Sequence, residues 1–172
     1  GLLMVACAYA MSRIVAGRYA ALCAGLSVAV SYTLVQHAHY IKPGTLSTGW
    51  MMLATWACVA SLYTTHSKYR HRLYILSGVV TGLAATTRYN AAAVGLIVLL
   101  TGLILLYRHR TRRMLVAILL SWIAIPIVFL VGSPYVLIDF ENFWQDFSHI
   151  VGQFTVTGKN VRDYYLVGSW TG

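Results

Sequence analysis

Residues 1–138 carry eleven of the thirteen lysines and arginines in the chain and no carboxylate, because Asp139, Glu141, Asp146 and Asp163 hold all the acidic charge. A solvated globular surface needs about 25% charged residues with both signs present. Here charged residues make up 10% and hydrophobic ones 59%. An ordinary cytosolic domain, a disordered tail and a soluble nucleic-acid binder are therefore excluded, and the net charge of +9 needs another reading. The cations themselves supply it, since they are grouped: Arg13 with Arg18; Lys68 with Arg70 and Arg72; Arg108 with Arg110, Arg112 and Arg113. Only Lys42 and Arg88 stand alone between the groups.

Apolar runs at about 19–36, 47–64, 73–87, 91–107 and 114–132 separate these groups, and a shorter run at 1–12 precedes them. The runs are apolar on every face, and in lipid a backbone satisfies its own polar groups only as a helix or a closed barrel, so they read as membrane-spanning helices. About 20 residues cross ~30 Å of hydrocarbon, and six such spans use most of the 172 residues. The fold class predicted is all-α: a polytopic transmembrane bundle of about six spans. Threading the runs in order puts the three basic groups on one side, which the positive-inside rule makes cytoplasmic. Lys42, Arg88 and the acidic tail then face the other compartment. The run at 73–87 is short, and a re-entrant hairpin around 87–91 is the alternative there.

Beyond Asp139 the pattern changes. Phe140, Phe143, Trp144, Phe147, Ile150, Val151 and Phe154 recur at helical spacing on one face. With Asp139 as N-cap and Glu141 at the positive end of the dipole, this predicts an amphipathic helix over 139–155. It is expected to lie in the extracytoplasmic headgroup plane, or else to pack on protein as a lid. Residues 1–172 are read as a single integral-membrane domain. The opening GLLMVACAYA has no initiator Met and no basic leader, so the chain reads as a piece of a longer membrane region. Cys7, Cys23 and Cys58 stand singly in apolar runs and read as buried small hydrophobes, without a disulfide framework or a zinc site. Gly and Ser inside the spans, as at Ser77, Gly78, Gly82, Gly95 and Gly102, favour close helix contact.

The basic groups are accounted for by orientation and by contact with anionic lipid, so chemistry is sought at the opposite ends of the spans. Three polar groups lie there: His37, His39, Tyr40 and Lys42; Arg88, Tyr89 and Asn90; Ser133, Pro134, Tyr135 and Asp139. Each follows an outward crossing, so all three converge on one extracytoplasmic pocket. Arg88, Lys42, His39 and His37 are candidates to bind a phosphate, with Tyr40, Tyr89, Tyr135 and Asp139 in the pocket wall. Arg88 is the sharpest, because a lone cation at a membrane boundary either snorkels or pairs with an anion. His37 and His39 point about 200° apart on a helix, so no metal site is assigned to them. No hydrolase triad order, HExxH or phosphate loop occurs. A carboxylate base for activating a hydroxyl is confined to 139–163 or to sequence before Gly1, so no catalytic residue is assigned.

The segments HAHYIKPGTLSTGWMMLATWACVASLY, LSGVVTGLAATTRYNAAAVGLIVLL and IVFLVGSPYVLIDFENFWQDF, in that order, resemble the membrane region of polyprenyl-phosphate-sugar-dependent glycosyltransferases. The resemblance is to the GT-C superfamily, glycosyltransferase family 39, which includes the protein O-mannosyltransferases. It extends over about residues 10–150. The family's "GLA-x-x-[TS]-[KR]" stretch is matched by Gly82 through Arg88 and its "xxPY-x-L-x-D" stretch by Ser133 through Asp139. Many relatives carry Asp where this chain has Gly44, so an acidic role at that position is absent.

The resemblance implies inverting sugar transfer from a lipid-linked donor to a glycan, lipid or protein acceptor on the outer face. It also implies a divalent metal ion as a frequent cofactor, its ligands and the principal carboxylates lying before Gly1. Such a protein is multi-pass, in the plasma membrane of a prokaryote or the endoplasmic reticulum of a eukaryote. Its partners are the donor, the acceptor and membrane lipids, with no nucleic acid. A transporter or flippase and a non-catalytic assembly subunit are the alternatives, the first disfavoured in its proton-coupled form by spans that hold no carboxylate.

Overall fold

The computed structural model describes residues 1–32, 36, 43–134, 136 and 144. They divide between two compact units, Gly1–Ser133 and Pro134–Gly172. Among the described residues of the first unit every regular element is helical: α1 (Leu2–Val30), α2 (Pro43–Tyr63), α3 (Ser67–Thr87), a 3-10 turn (Tyr89–Ala93), α4 (Val94–His109) and α5 (Arg112–Gly132). Of the second unit, Pro134, Val136 and Trp144 are described, so the helix expected over 139–155 lies outside the described residues apart from Trp144.

The first helix is two rods. Gly17 interrupts it at φ 88° and ψ −173°, a combination essentially reserved for glycine. A side-chain carbon placed on Gly25 would stand 3.6 Å from Tyr9 Cβ and 3.9 Å from Val5 Cγ1. Residues symmetric about Gly17 therefore face each other, and the chain folds back between Arg13 and Arg18. This is the turn expected between the runs 1–12 and 19–36. Unbroken, α1 is one of three helices among the described residues long and apolar enough to cross a membrane, with Asn90–His109 and Arg112–Gly132. Broken at Gly17, its halves 2–16 and 18–30 measure about 22 Å and 20 Å at 1.5 Å per residue.

α3 is the centre of the unit and packs most extensively on α5 and α2. It begins at Ser67, six residues before the apolar run at 73–87 that marks it in the sequence, and so reaches 21 residues. At 87–91, Arg88 is extended and a 3-10 turn hands the chain to α4. α3 and α5 run parallel at backbone contact. A side-chain carbon on Gly78 would collide with Oγ and O of Ser121, and one on Gly82 would stand 2.8 Å from Ile125 O and from Val128 Cβ. This is small-residue packing at four-residue spacing, the way helices associate in lipid. Tyr74, fully buried, reaches from α3 to the Val98 carbonyl of α4 beside Gly102. Gly78, Gly82 and Gly102 have the role expected of them. Gly95 meets no atom within 4 Å and nothing in the structure explains it.

The distribution of side chains is inverted relative to a soluble protein. Ser47, Ser61, Ser77, Thr81, Thr101 and Ser121 are buried, while α4 and α5 expose rows of Leu and Ile. Three of these six hydroxyls donate back to a carbonyl three or four residues earlier: Ser61 to Cys58, Ser77 to Tyr74 and Thr81 to Ser77. Apolar surface on this scale in contact with water is not tolerated, whereas lipid covers it without cost. The protein is an integral membrane protein. Cys7 and Cys58 are buried as expected, but Cys23 is exposed on α1.

Candidate functional site

Two of the three basic groups, 68–72 and 108–113, share one end of the helices. Arg70 near the start of α3 and Arg108 at the end of α4 both act electrostatically on His109, as does His71. Leu3 meets Gly49, whose added carbon would lie 3.3 Å from Leu3 Cδ2. From that level, Gly17 and Tyr63 are each about 21 Å of helix away, so the Arg13–Arg18 turn reaches the basic end when the two rods run parallel, as threading the apolar runs in order expects. Arg70 secures this end by donating through Nη2 to the carbonyls of Thr64 at 2.8 Å and Thr65 at 3.3 Å, where α2 runs out of amide partners.

The opposite end of the first unit holds Arg88, Tyr89 and Asn90 of the second polar group and Ser133 of the third. Arg88 caps α3: its N–H donates to Ala84 O at 3.2 Å, and its carbonyl accepts from Ala91 N–H at 2.9 Å. A cation at a helix C-terminus meets the negative end of the dipole, which contributes about 0.3–1 kcal/mol and accounts for part of its presence. The side chain is exposed and extends to the first turn of α2, where Nη1 stands 3.3 Å from the position a side-chain carbon on Gly44 would occupy. Pro43 opens α2 without an amide hydrogen, as proline does at the first helical position. The guanidinium thus stands beside the positive end of α2, and no carboxylate is among the described residues to neutralise either. The exit of α5 adjoins the same end of α3, since a carbon on Gly132 would lie 3.2 Å from Thr86 Cβ. Ser133 closes α5 by donating its N–H to Phe129 O at 2.9 Å.

Of the residues picked out in the sequence, the structure brings Arg88 to this end and starts the 3-10 turn with Tyr89. His37, His39, Tyr40, Lys42, Tyr135 and Asp139 lie outside the described residues. Among the described residues, no three His, Cys, Asp or Glu side chains come together to hold a metal ion. The residue that sequence reading missed is Gly44, noted only for the carboxylate it lacks. Its position next to Arg88 had no local signal beyond the Pro-Gly pair that starts α2.

Taken together, an exposed guanidinium, a helix N-terminus and a glycine beside them are an arrangement chemically suited to an oxyanion. Compared with known proteins, residues 1–138 match the model of the family described as dolichyl-phosphate-mannose-protein mannosyltransferase. No curated protein and no solved structure matches the chain.

Proposed function

Because the chain belongs to the dolichyl-phosphate-mannose-protein mannosyltransferase family of membrane glycosyltransferases, we propose that it transfers a sugar from a polyprenyl-phosphate donor to an acceptor on the extracytoplasmic face, with Arg88 holding the donor phosphate. The observation that carries this reading is Arg88 meeting the start of α2 at Gly44, at the end of the helices opposite the basic groups. The positive-inside rule makes that end extracytoplasmic. A donor confined to the bilayer presents its phosphate at this height.

In the reaction, the bond between the anomeric carbon and the phosphate oxygen breaks and its electron pair leaves with the phosphate. The acceptor hydroxyl attacks the same carbon from the opposite face and gives up its proton to a carboxylate. Negative charge grows on the leaving oxygen as positive charge grows on the ring, so a fixed cation at the phosphate lowers the barrier. Arg88 does this with its guanidinium, and the amide groups at the start of α2 add their partial charges. Residues 1–138 contain no Asp or Glu, so the base is not among them. Among the described residues no three His, Cys, Asp or Glu side chains come together. Family membership favours this reading over a transporter or an assembly subunit.

The test is Arg88→Ala in the intact protein. Turnover of polyprenyl-phosphate sugar is expected to fall roughly 100-fold, as when one charge-stabilising donor is lost. Unchanged turnover in a stably folded variant removes Arg88 from the mechanism.

A further inference from the structure

α3 and α4 both end on an arginine, and the two arginines leave in different directions. Each donates its N–H to the carbonyl four residues earlier, Arg88 to Ala84 at 3.2 Å and Arg110 to Leu106 at 2.9 Å. Arg110 then turns left-handed, at φ 40° and ψ 35°. That is a common way for a chain to cover the last carbonyls of a helix. Arg88 is extended instead, at φ −154° and ψ 127°. Its carbonyl accepts from Ala91 N–H as the 3-10 turn begins, and its side chain reaches across to Gly44.

One residue earlier the two helices differ, His109 standing before Arg110 and Thr87 before Arg88. Thr87 donates its hydroxyl hydrogen to Ala84 O at 2.7 Å, so this carbonyl accepts twice, from the Thr87 hydroxyl and from the Arg88 N–H. A carbonyl oxygen has two lone pairs, and here both are used. Bonds of this kind from Ser and Thr compete with the backbone pattern of a helix and bend it. At Thr87 the effect falls on the residue where the chain leaves, and the Ala84 carbonyl is covered without a left-handed turn. Thr86 makes a similar bond to Leu83 O, one residue further from the exit, and its methyl group is occupied against Gly132.

We propose that Thr87 is a positioning residue for Arg88: its bond to Ala84 O ends α3 in the extended conformation that carries the guanidinium to the first turn of α2. The inference rests on the reading of Arg88 as the cation that holds the donor phosphate. Thr87 does not itself meet the donor in it, because its hydroxyl hydrogen is already committed to Ala84. Without that bond Arg88 is free to continue the helix or to turn as Arg110 does, and either change takes the guanidinium away from Gly44.

The experiment is a double-mutant cycle between Thr87→Val and Arg88→Ala, read as kcat/KM for polyprenyl-phosphate sugar in the intact protein. Thr87→Val keeps the shape of the side chain and removes the hydroxyl. It is expected to lower kcat/KM about fivefold, the share of one ordinary hydrogen bond. In the Arg88→Ala background the same substitution is expected to change it by less than about twofold, since no guanidinium remains to be misplaced. Thr87→Ser, which keeps the hydroxyl, and Thr86→Val, which removes the neighbouring one, are each expected to stay within about twofold of wild type. If Thr87→Val does not fold, Thr87→Ala takes its place in the cycle. Equal losses in the two backgrounds would show a threonine that acts on stability alone, and would overturn the inference while leaving Arg88 in the mechanism. A fivefold loss with Thr87→Ser or with Thr86→Val would do the same. Full turnover in Arg88→Ala alone would instead remove the reading of Arg88, and this inference with it.

Discussion

Tyr74 donates its phenolic hydrogen to the Val98 carbonyl over 2.9 Å, from the middle of α3 into the backbone of α4. The ring is fully buried and fits because Gly102, one turn on from Val98, has no side chain; an added carbon would overlap Tyr74 Oη and lie 3.0 Å from Cζ. Gly102→Ala is therefore expected to destabilise the protein by about 1–3 kcal/mol, the usual penalty for overpacking. Thermal unfolding in detergent measures it. Adding Tyr74→Phe removes the overlapping oxygen and is expected to restore part of the loss. If the double variant is as unstable as the sum of the two singles, the two residues do not share the space described.

Gly44 gives a second prediction, because it sets what stands beside Arg88. Gly44→Ala brings a methyl to 3.3 Å from Nη1, which a flexible guanidinium accommodates by moving a few tenths of an ångström, so turnover is expected to stay within about twofold. Gly44→Asp places a carboxylate in ion-pair range and occupies the cation intended for the donor. A charge-assisted hydrogen bond contributes about 1.5–3 kcal/mol, so a loss of roughly 10- to 100-fold in kcat/KM for the lipid-linked sugar is expected. Equal activity of the two variants would show that Arg88 does not meet the donor.

At Gly17 the backbone conformation itself is tested. With φ at 88° and ψ at −173°, a side chain of any size is strained even though no atom lies within 4 Å of the added carbon. Gly17→Ala is expected to cost about 1–3 kcal/mol of stability, read as a lowered melting temperature. Unaltered melting would mean that the two halves of α1 join in another conformation.

The placement of the helix ends is checked by labelling. In a background with Cys7, Cys23 and Cys58 replaced by Ser, Asn90→Cys is expected to react with an impermeant maleimide added outside. Arg72→Cys is expected to react only after the membrane is opened. Both positions are exposed on the structure. Labelling of both from one side would undo the assignment of Arg88 to the donor's leaflet.

The rods were legible in the sequence because lipid leaves a backbone few choices and because cations punctuate the apolar runs. The true start of α3 was not. Lys68, Arg70 and Arg72 break the hydropathy pattern, yet the helix continues through them to Ser67, its charged turns belonging to the end where Arg70 closes α2. Contacts such as Tyr74 with Gly102, or Gly44 with Arg88, join residues 28 and 44 positions apart. No local signal reports such pairs, since each depends on how α3 is seated among its neighbours. Gly95 shows the reverse: it looks like a packing glycine and is buried, yet a side-chain carbon added there would meet no atom within 4 Å outside its own helix.

Gly78, Gly82 and Gly132 also determine something at a distance from themselves. Sliding α3 past α5 by a single residue would move it about 1.5 Å and turn it about 100°, swinging both α3 glycines away from the backbone they touch. The elevation of Arg88 relative to the exit of α5 is consequently indexed by contacts deep in the bilayer, and only the length of its own side chain gives it latitude. A donor whose phosphate rides higher or lower in the membrane meets a cation that will not travel to find it.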